Sequence, residues 1–382
     1  MEDNIRGVVC KLYPNNINTT KLYQTTGCCR YVWNYFLNRR LRRYKKGLPT
    51  SYSIDSKFLT KLKRRKTWLG DVSAVALQQV LKDLDTAFKN FYRRIKNGEK
   101  PGFPKFKSKH KSRNSFRIVN RADAQRLKDI ILNIPRVGLT KLRKSRTFNI
   151  KNVKSYTIFE DCGKWFISFV EYFKPKKLKK TNNKVGIDLG VKKFVYPSKG
   201  KPTKPLNTKE LDSKIITKQR ELSRKQKGSN RWQKCKQQLK ILHQKLRYKR
   251  NDFNHKISTY YVENQDVIIV EDLKIKNMTK NCKGTLENPG KNVKAKSGLN
   301  RSILSQSWGS FTEMLRYKCE WYGKKLIKVN PAYTSQICSF CGFKSKYSRR
   351  SQSKFKCIKC KRVRNADRNA AINILNRGLA LA

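Results

Sequence analysis

Two cysteine pairs lie near the end of the chain, Cys338-Ser-Phe-Cys341-Gly and Cys357-Ile-Lys-Cys360, with fifteen residues between them. Each pair can present two thiolates to one Zn2+, and the spacer is long enough for a hairpin that closes a tetrahedral four-sulfur site. A redox role would explain one such pair alone; two at this spacing point to a single structural zinc. Gly342 suits the tight knuckle turn after the first pair, whereas Lys361 stands at the matching place after the second and would have to bear a strained φ. Four cysteines fill the metal's shell, so Asp367, close behind them, is not needed as a ligand there.

Asp367 finds its partners upstream. Asp188 sits in Gly186-Ile-Asp188-Leu-Gly190, where the flanking glycines leave room for a phosphate backbone beside a carboxylate at a strand's edge. Glu271 directly follows the apolar run Val267-Ile-Ile-Val270 and emerges at a strand's C-terminal end. Asp367 opens a helix, DRNAAINIL, whose Ala370, Ala371 and Ile374 must face a packed layer. Two carboxylates on neighbouring strands and a third on a helix packed across them are what a ribonuclease H-like domain needs. Together they could hold two Mg2+ about 4 Å apart, one activating water and one stabilising the leaving 3′ oxygen of a phosphodiester. Each acid also has a plainer reading: Asp188 as a turn aspartate, Glu271 or Asp272 as an exposed strand end, Asp367 as a helix N-cap. Neighbouring residues on a strand point to opposite faces, so only one of Glu271 and Asp272 can enter such a site.

The elements that must position these groups fall into two halves. Residues 4 to 13 read as a strand, followed from Thr20 by helices. In VALQQVLKDLDTAFKNFYRRI, Val75, Leu77, Val80, Leu81, Leu84, Ala87, Phe88 and Phe91 keep an apolar stripe at helical spacing. GEKPGFPKFKSK ends this helical block, and strand-like pieces return from about Ser115 to Phe173. That order outlines a small β domain carrying a helical lobe. KPKKLKKTNNK, from Lys174 to Lys184, reads as a linker. Beyond it, residues 208 to 263 read as two helices folding back at Gly228-Ser229-Asn230, and NMTKNCKGTLENPGKNVKAKSGLN as a long polar loop.

The 382 residues allow two or three domains. They carry 91 Lys and Arg against 25 Asp and Glu, a formal net charge of +66 spread through both halves, which calls for a polyanion over much of the surface. Charge alone does not separate DNA from RNA. The start, MEDNIRGVVC, has no apolar signal core, and no run approaches the length of a membrane span, so a cytoplasmic protein with no membrane partner is expected. Outside the two pairs, the remaining cysteines are scattered, as in a reducing compartment.

With these residues in view, the chain resembles the TnpB family, the RNA-guided RuvC-type DNA endonucleases of insertion sequences, related to the miniature type V CRISPR effectors. The resemblance runs through LYPNN, GCCRYVWNYFLNRR, LQQVLKDLDTAFKNFYRR and GFPKFKSK, then GIDLG, ELSRKQKGSNRWQK, NDFNHKIS and IIVEDL, and finally LNRSILSQSWGSF, VNPAYTSQICSFCG and ADRNAAINIL. It implies an α/β multidomain protein. A β-barrel-like wedge domain (1–16 and 113–180) is split around a helical recognition lobe (17–112). A ribonuclease H-like RuvC nuclease domain (181–336, with its helical hairpin at 208–263, and 362–382) is interrupted by a zinc ribbon that binds target nucleic acid (337–361). By the family's motifs the catalytic residues are Asp188, Glu271 and Asp367, and the cofactors are two Mg2+ and one structural Zn2+. The partners implied are a guide RNA and a double-stranded DNA target recognised beside a short motif, with base pairing supplying most of the specificity. Gln78 and Gln79, on the recognition-lobe pattern, are candidates for reading bases. The family commonly has Asp-Arg-Asp before the last helix and glycine after the second cysteine pair, where this chain has Asn365-Ala366-Asp367 and Lys361. Two other readings keep most of these features: a CRISPR effector using a CRISPR RNA, and an RNA-guided repressor that binds without cutting.

Overall fold

The computed structural model describes residues 4–119, 127–128, 130–143, 152–175 and 178–381. The chain divides into two compact units, Met1–Lys174 and Pro175–Ala382.

The first unit runs β1 (Asn4–Tyr13), α1 (Asn16–Lys45), α2 (Tyr52–Arg65), α3 (Ala74–Lys96), β2 (Ser115–Val119), β3 (Leu127–Lys128), β4 (Ile131–Ile134), β5 (Gly138–Arg143), β6 (Val153–Asp161) and β7 (Lys164–Phe173). The strands form one antiparallel sheet in the order β2-β6-β7-β1-β5-β4-β3. Among the described residues β2 and β3 are its two edges, so the sheet is a half-barrel rather than a closed barrel. In β1 the alternation Val8, Cys10, Leu12 turns inward while Val9 and Tyr13 stay exposed, the period of a strand with one covered face. The stripe expected in α3 is buried at Leu77, Val80, Leu81 and Leu84 and shares a core with Val32, Phe36 and Leu37 of α1. GFPKFKSK is pinned to α1: Trp33 donates to the Lys105 carbonyl (2.9 Å), and Asn34 exchanges two 2.8 Å bonds with the Lys107 backbone.

Helix α2 has no counterpart among the sequence expectations. Its Ser51 cap and buried Leu59 and Leu62 were legible, but the residue that anchors it is polar. Asp55 is wholly buried and held by Arg39 (2.9 Å) and Arg40 (2.6 Å), both from α1.

The second unit contains β8 (Lys184–Leu189), β9 (Val195–Pro197), α4 (Lys209–Ser223), α5 (Asn230–Asn264), β10 (Val267–Glu271), α6 (Ile275–Met278), α7 (Val293–Gln306), α8 (Trp308–Tyr322), β11 (Lys325–Val329), β12 (Lys354–Lys356), β13 (Val363–Asn365) and α9 (Ala366–Leu379). Its main sheet has the order β11-β10-β8-β9, with β10 parallel to both neighbours and β9 antiparallel to β8. The uninterrupted apolar run of β10 is explained by burial on both faces. Ile268 and Val270 join Val185, Ile187, Phe311 and Leu315 on one side, whereas Ile269 meets Ile374 of α9 on the other.

Two glycines set how closely α9 lies on this sheet. A Cβ on Gly186 would stand 2.2 Å from the Ala371 carbonyl oxygen, and one on Gly378 would stand 2.4 Å from the Ile269 side chain. The helical hairpin forms as expected, with Ser229 capping α5 and Leu211, Ile215 and Leu246 buried between its arms. The polar loop is shorter than expected. Its second part, from Val293, is the start of α7, a helix anchored at its far end by buried Ile303, one apolar contact too few to register as a periodic pattern. The linker is partly docked, since the Asp266 carboxylate accepts from the Thr181 (2.9 Å) and Asn182 (2.7 Å) amides. Among the described residues no helix is long and apolar enough to cross a membrane.

Candidate metal centres

Strand alternation decides which acids converge. In β8, Val185, Ile187 and Leu189 face the α5/α8 side, which turns Gly186 and Asp188 toward α9. In β10, Ile268 and Val270 face the same α5/α8 side, which turns Ile269 and Glu271 toward α9. Residues 267–270 pair in parallel register with 184–187, and continuing that register brings Glu271 beside Asp188. Asp272 points away, 42% exposed at its side chain and bonded to Lys274 at 2.6 Å. Glu271 is therefore the residue of that pair facing the helix.

On α9 the cap is Asn365, whose Oδ1 accepts from the Asp367 (3.0 Å) and Arg368 (3.2 Å) amides. The capping role that sequence left open for Asp367 is thus filled by another residue. Asp188, Glu271 and Asp367 line one cavity of about 290 Å³, with Lys192, Lys193, Thr334, Ser335, Arg349 and Gln352 around them. Burial, followed by the charges of Glu271 and Asp367, raises the Asp188 carboxyl to about 7, against the opposing pull of Arg349. Burial also raises Glu271 and Asp367; a hydrogen bond from Thr334 offsets part of it at Glu271, and Arg349 part of it at Asp367. Carboxylates that oppose one another's ionisation, with hydroxyls and no sulfur or imidazole in the lining, are a donor set suited to a hard divalent cation.

The four cysteine sulfurs are the one group of three or more potential ligands, among the described residues, whose atoms all lie within 4.8 Å of one another. Cys338 and Cys360 sulfurs are 3.8 Å apart and those of Cys341 and Cys357 3.6 Å. A tetrahedron with Zn–S bonds of about 2.3 Å has sulfur–sulfur edges of about 3.8 Å, close to both of these separations, and the four-sulfur cluster fits a structural zinc. Gly342 and Lys361 both have positive φ, +72° and +58°, so Lys361 bears the left-handed turn expected of it. Among the described residues the apolar core here is Cys338, Phe355, Cys357 and Ala366, with Cys360 packed against it. The carboxylate oxygens, unlike the sulfurs, do not all lie within 4.8 Å of one another.

Three cavity residues lay beyond sequence reasoning. Arg349, 3.6 Å from Asp367, and Gln352 come from the segment between the cysteine pairs, and Thr334 donates to Glu271 Oε1 at 2.6 Å. No local pattern marks an arginine among so many, whereas Thr334 lies in the quoted VNPAYTSQICSFCG. Gln78 is exposed on α3, but Gln79 is only 6% exposed and its amide donates to Asp83 at 3.0 Å. Helical geometry turns adjacent residues apart by about 100°, so the two side chains leave α3 in different directions.

Residues 308–374 match the family described as Cas12f1-like, TNB domain; residues 168–282 match one described as probable transposase, of the OrfB IS605 group; residues 1–48 match that group's helix-turn-helix domain. In this chain the last stretch is a strand followed by the single long helix α1. The chain is 38% identical to "Putative RNA-guided DNA endonuclease InsQ" of Escherichia coli (strain K12), over 97% of this chain and 92% of that protein. It is 32% identical to "Putative RNA-guided DNA endonuclease" of Streptomyces pristinaespiralis, over all of this chain and 91% of that one. In fold it is similar to the protein in a cryo-EM structure of a Cas12f1-sgRNA-target DNA complex, with a TM-score of 0.55 at 17% identity over 94% of this chain and 82% of that one. This chain belongs to the TnpB family, the OrfB proteins of IS605-type elements.

Proposed function

We propose that the protein is an RNA-guided DNA endonuclease whose second unit is a RuvC-type nuclease domain interrupted by a zinc ribbon, and whose hydrolytic centre is the cavity of Asp188, Glu271 and Asp367. The observation that carries this reading is the convergence of those three acids, from two adjacent parallel strands and the helix packed across them, on one cavity. The sheet order β11-β10-β8-β9, with β9 antiparallel at the edge, supports a ribonuclease H-like core. The half-barrel sheet of the first unit supports a wedge domain at 1–16 and 113–180, split by a recognition lobe at 17–112, although residues 175–180 fall in the second unit. The partners are a guide RNA and a DNA duplex, in keeping with the +66 charge and with the names of the full-length relatives. Gln78 and Gln79 on α3 are candidate contacts to the duplex, the first exposed and the second bonded to Asp83.

The three carboxylates would hold Mg2+, which when bound supplies Lewis acidity for attack of water on a DNA phosphodiester and for departure of the 3′ oxygen. The chain's own groups prepare that site. Asp188 resists ionisation because it is buried beside two further carboxylates, and a bound divalent charge would remove that resistance. Arg349, Lys192 and Lys193 line the same cavity and offer cations to the phosphate oxygens of an incoming strand. Thr334 holds one oxygen of Glu271 and leaves the other free.

The test is a complex purified with its RNA and given a matching duplex. Asp188→Ala, Glu271→Ala and Asp367→Ala should each abolish Mg2+-dependent cutting while RNA and DNA binding persist, and combining them should cost no more. Cutting by any of the three at the native rate would remove that residue from the centre. The match of residues 308–374 to a Cas12f1-like domain favours a second reading, the same chemistry directed by a CRISPR RNA. Sequencing the bound RNA separates the two, since one source is the end of an insertion sequence and the other a repeat array.

A further inference from the structure

Asn369, Asn373 and Arg377 stand one turn apart on α9 and hold a single passing segment. Asn369 Nδ2 donates to the Ile337 carbonyl (2.7 Å) while its Oδ1 accepts from the Ser339 amide (2.8 Å). Asn373 Nδ2 donates to the carbonyls of Thr334 (2.8 Å) and Ile337 (2.6 Å). Arg377 donates to the Ala332 carbonyl at 3.0 Å. The segment they hold leads from β11 into the first cysteine pair, because Ser339 lies between Cys338 and Cys341. At its other end, Thr334 Oγ1 donates to Glu271 Oε1 at 2.6 Å, with the Pro331 carbonyl (3.1 Å) the weaker competitor for the same proton. An unbroken series of bonds therefore joins the sulfur site to a carboxylate of the acidic cavity.

Asparagine is a poor choice inside a helix and a costly one to bury unless its amide is satisfied. Asn369 and Asn373 are 1% and 7% exposed, and both spend their amides on backbone that no strand or helix pairs. Had α9 only to cover the sheet, Leu or Ala at these positions would serve better. Their partners indicate another task, the fixing of one irregular segment.

We propose that Asn369 and Asn373 are positioning residues that lock Thr334 against Glu271, so that a metal-bound ribbon orders the carboxylate cluster for divalent cations; this rests on the reading of that cluster as a metal centre. A carboxylate held by one oxygen loses its freedom to rotate and presents the other in one direction. Partners of this kind, one bond removed from a ligand, typically change metal affinity 10- to 100-fold. The coupling also gives the ribbon a role at the centre that does not depend on nucleic acid.

The test uses the zinc-loaded full chain without nucleic acid, with Mn2+ as the probe followed by electron paramagnetic resonance, zinc measured by elemental assay, and cutting measured separately in the RNA complex. Thr334→Val keeps the shape and removes the hydroxyl; it should weaken Mn2+ binding about tenfold with zinc retained, and Thr334→Ser should restore it. Asn373→Ala should weaken binding by a similar factor, and the Thr334→Val/Asn373→Ala pair should be no worse than either alone, the mark of one shared path. A general loss of folding would instead lower the zinc content and spare nothing in the Ser variant. Native Mn2+ affinity in Thr334→Val, or failure of Thr334→Ser to restore it, overturns the proposal even if DNA is cut. Conversely, Mn2+ binding that follows this pattern in a chain whose RNA complex cuts no DNA upholds the strut and overturns the nuclease reading.

Discussion

Replacing Gly186 by alanine tests whether the approach of α9 to β8 sets the acidic cavity. A Cβ there would lie 2.2 Å from the Ala371 carbonyl oxygen, 2.6 Å from the Leu375 nitrogen and 2.8 Å from the Leu375 Cβ. Two of the three are backbone atoms of a helix already pressed against Ile269 at Gly378, so no side chain can swing aside. Restoring ordinary contact at ~3.4 Å requires the helix to retreat by about 1 Å, a misfit of the kind that costs roughly 1–3 kcal/mol in a packed core. Asp367 rides on that helix and Asp188 on that strand. A displacement of about 1 Å between reacting groups costs on the order of 100-fold in rate. Gly186→Ala should therefore cut DNA about 100-fold more slowly while its zinc content and RNA binding stay native. Gly27→Ala provides the control. Gly27 sits within α1 with nothing inside 4 Å of its Cβ position, and alanine there should be neutral or stabilise by up to about 1 kcal/mol. Single-turnover cleavage, with denaturant titration of each variant, measures both effects. Native cutting by Gly186→Ala at undiminished stability would refute the claim that this contact fixes the distance between the two aspartates.

Serine at Cys338, Cys341, Cys357 or Cys360 should lower zinc content by elemental assay and unfold the ribbon, whose few apolar residues cannot hold it without metal. Asp367→Asn should bind target DNA without cutting it, whereas Asn365→Ala, which removes the real cap, should cost about 1 kcal/mol in thermal or denaturant unfolding and leave cutting nearly intact. In magnesium-free buffer, folded Asp188 keeps its proton to about pH 7 but an unfolded aspartate loses it near 3.8, so its contribution to stability is complete at low pH and lost as pH rises through about 7. Denaturant titrations of native protein and Asp188→Asn between pH 5 and pH 8 should show that decline in the first and a flatter profile in the second, and equal slopes would exclude the shift.

The candidate site was more legible than the scaffold around it, for physical reasons. A strand buried on both faces must be apolar without interruption, so Val267 to Val270 betrayed β10 and left Glu271 conspicuous at its end. Gly186 could be read as room near a carboxylate, but what fills that room is the backbone of α9, a long-range contact no local pattern contains. Helix α2 and the start of α7 escaped because each is anchored by few side chains, and in α2 by the polar Asp55. Arg349 escaped for the opposite reason, one cation among 91, singled out only when the ribbon folds over the cavity.

The distribution of negative charge argues for function more strongly than burial alone. Asp55 is deeper than Asp188, yet it lies between two arginines whose bonds offset its desolvation, and such an acid belongs to the architecture. Asp266 is likewise tied down, by Lys324 and two backbone amides that hold its carboxyl at about 2. Asp188 has the reverse environment: its nearest titrating neighbours include two further carboxylates, and its carboxyl rises to about 7 in a chain with 91 basic residues available to neutralise it. Packing gains nothing from gathering three acids in one cavity, and each raises the cost of ionising the next. On the reading of this cavity as a metal centre, that cost is offset when divalent cations bind. Adding Mg2+ should therefore raise the thermal midpoint of the native protein, and Asp188→Asn should melt higher than native without Mg2+ but gain less on its addition. Equal gains in the two would mean that the stabilising ions bind elsewhere, and the acidic cavity would lose its claim to them.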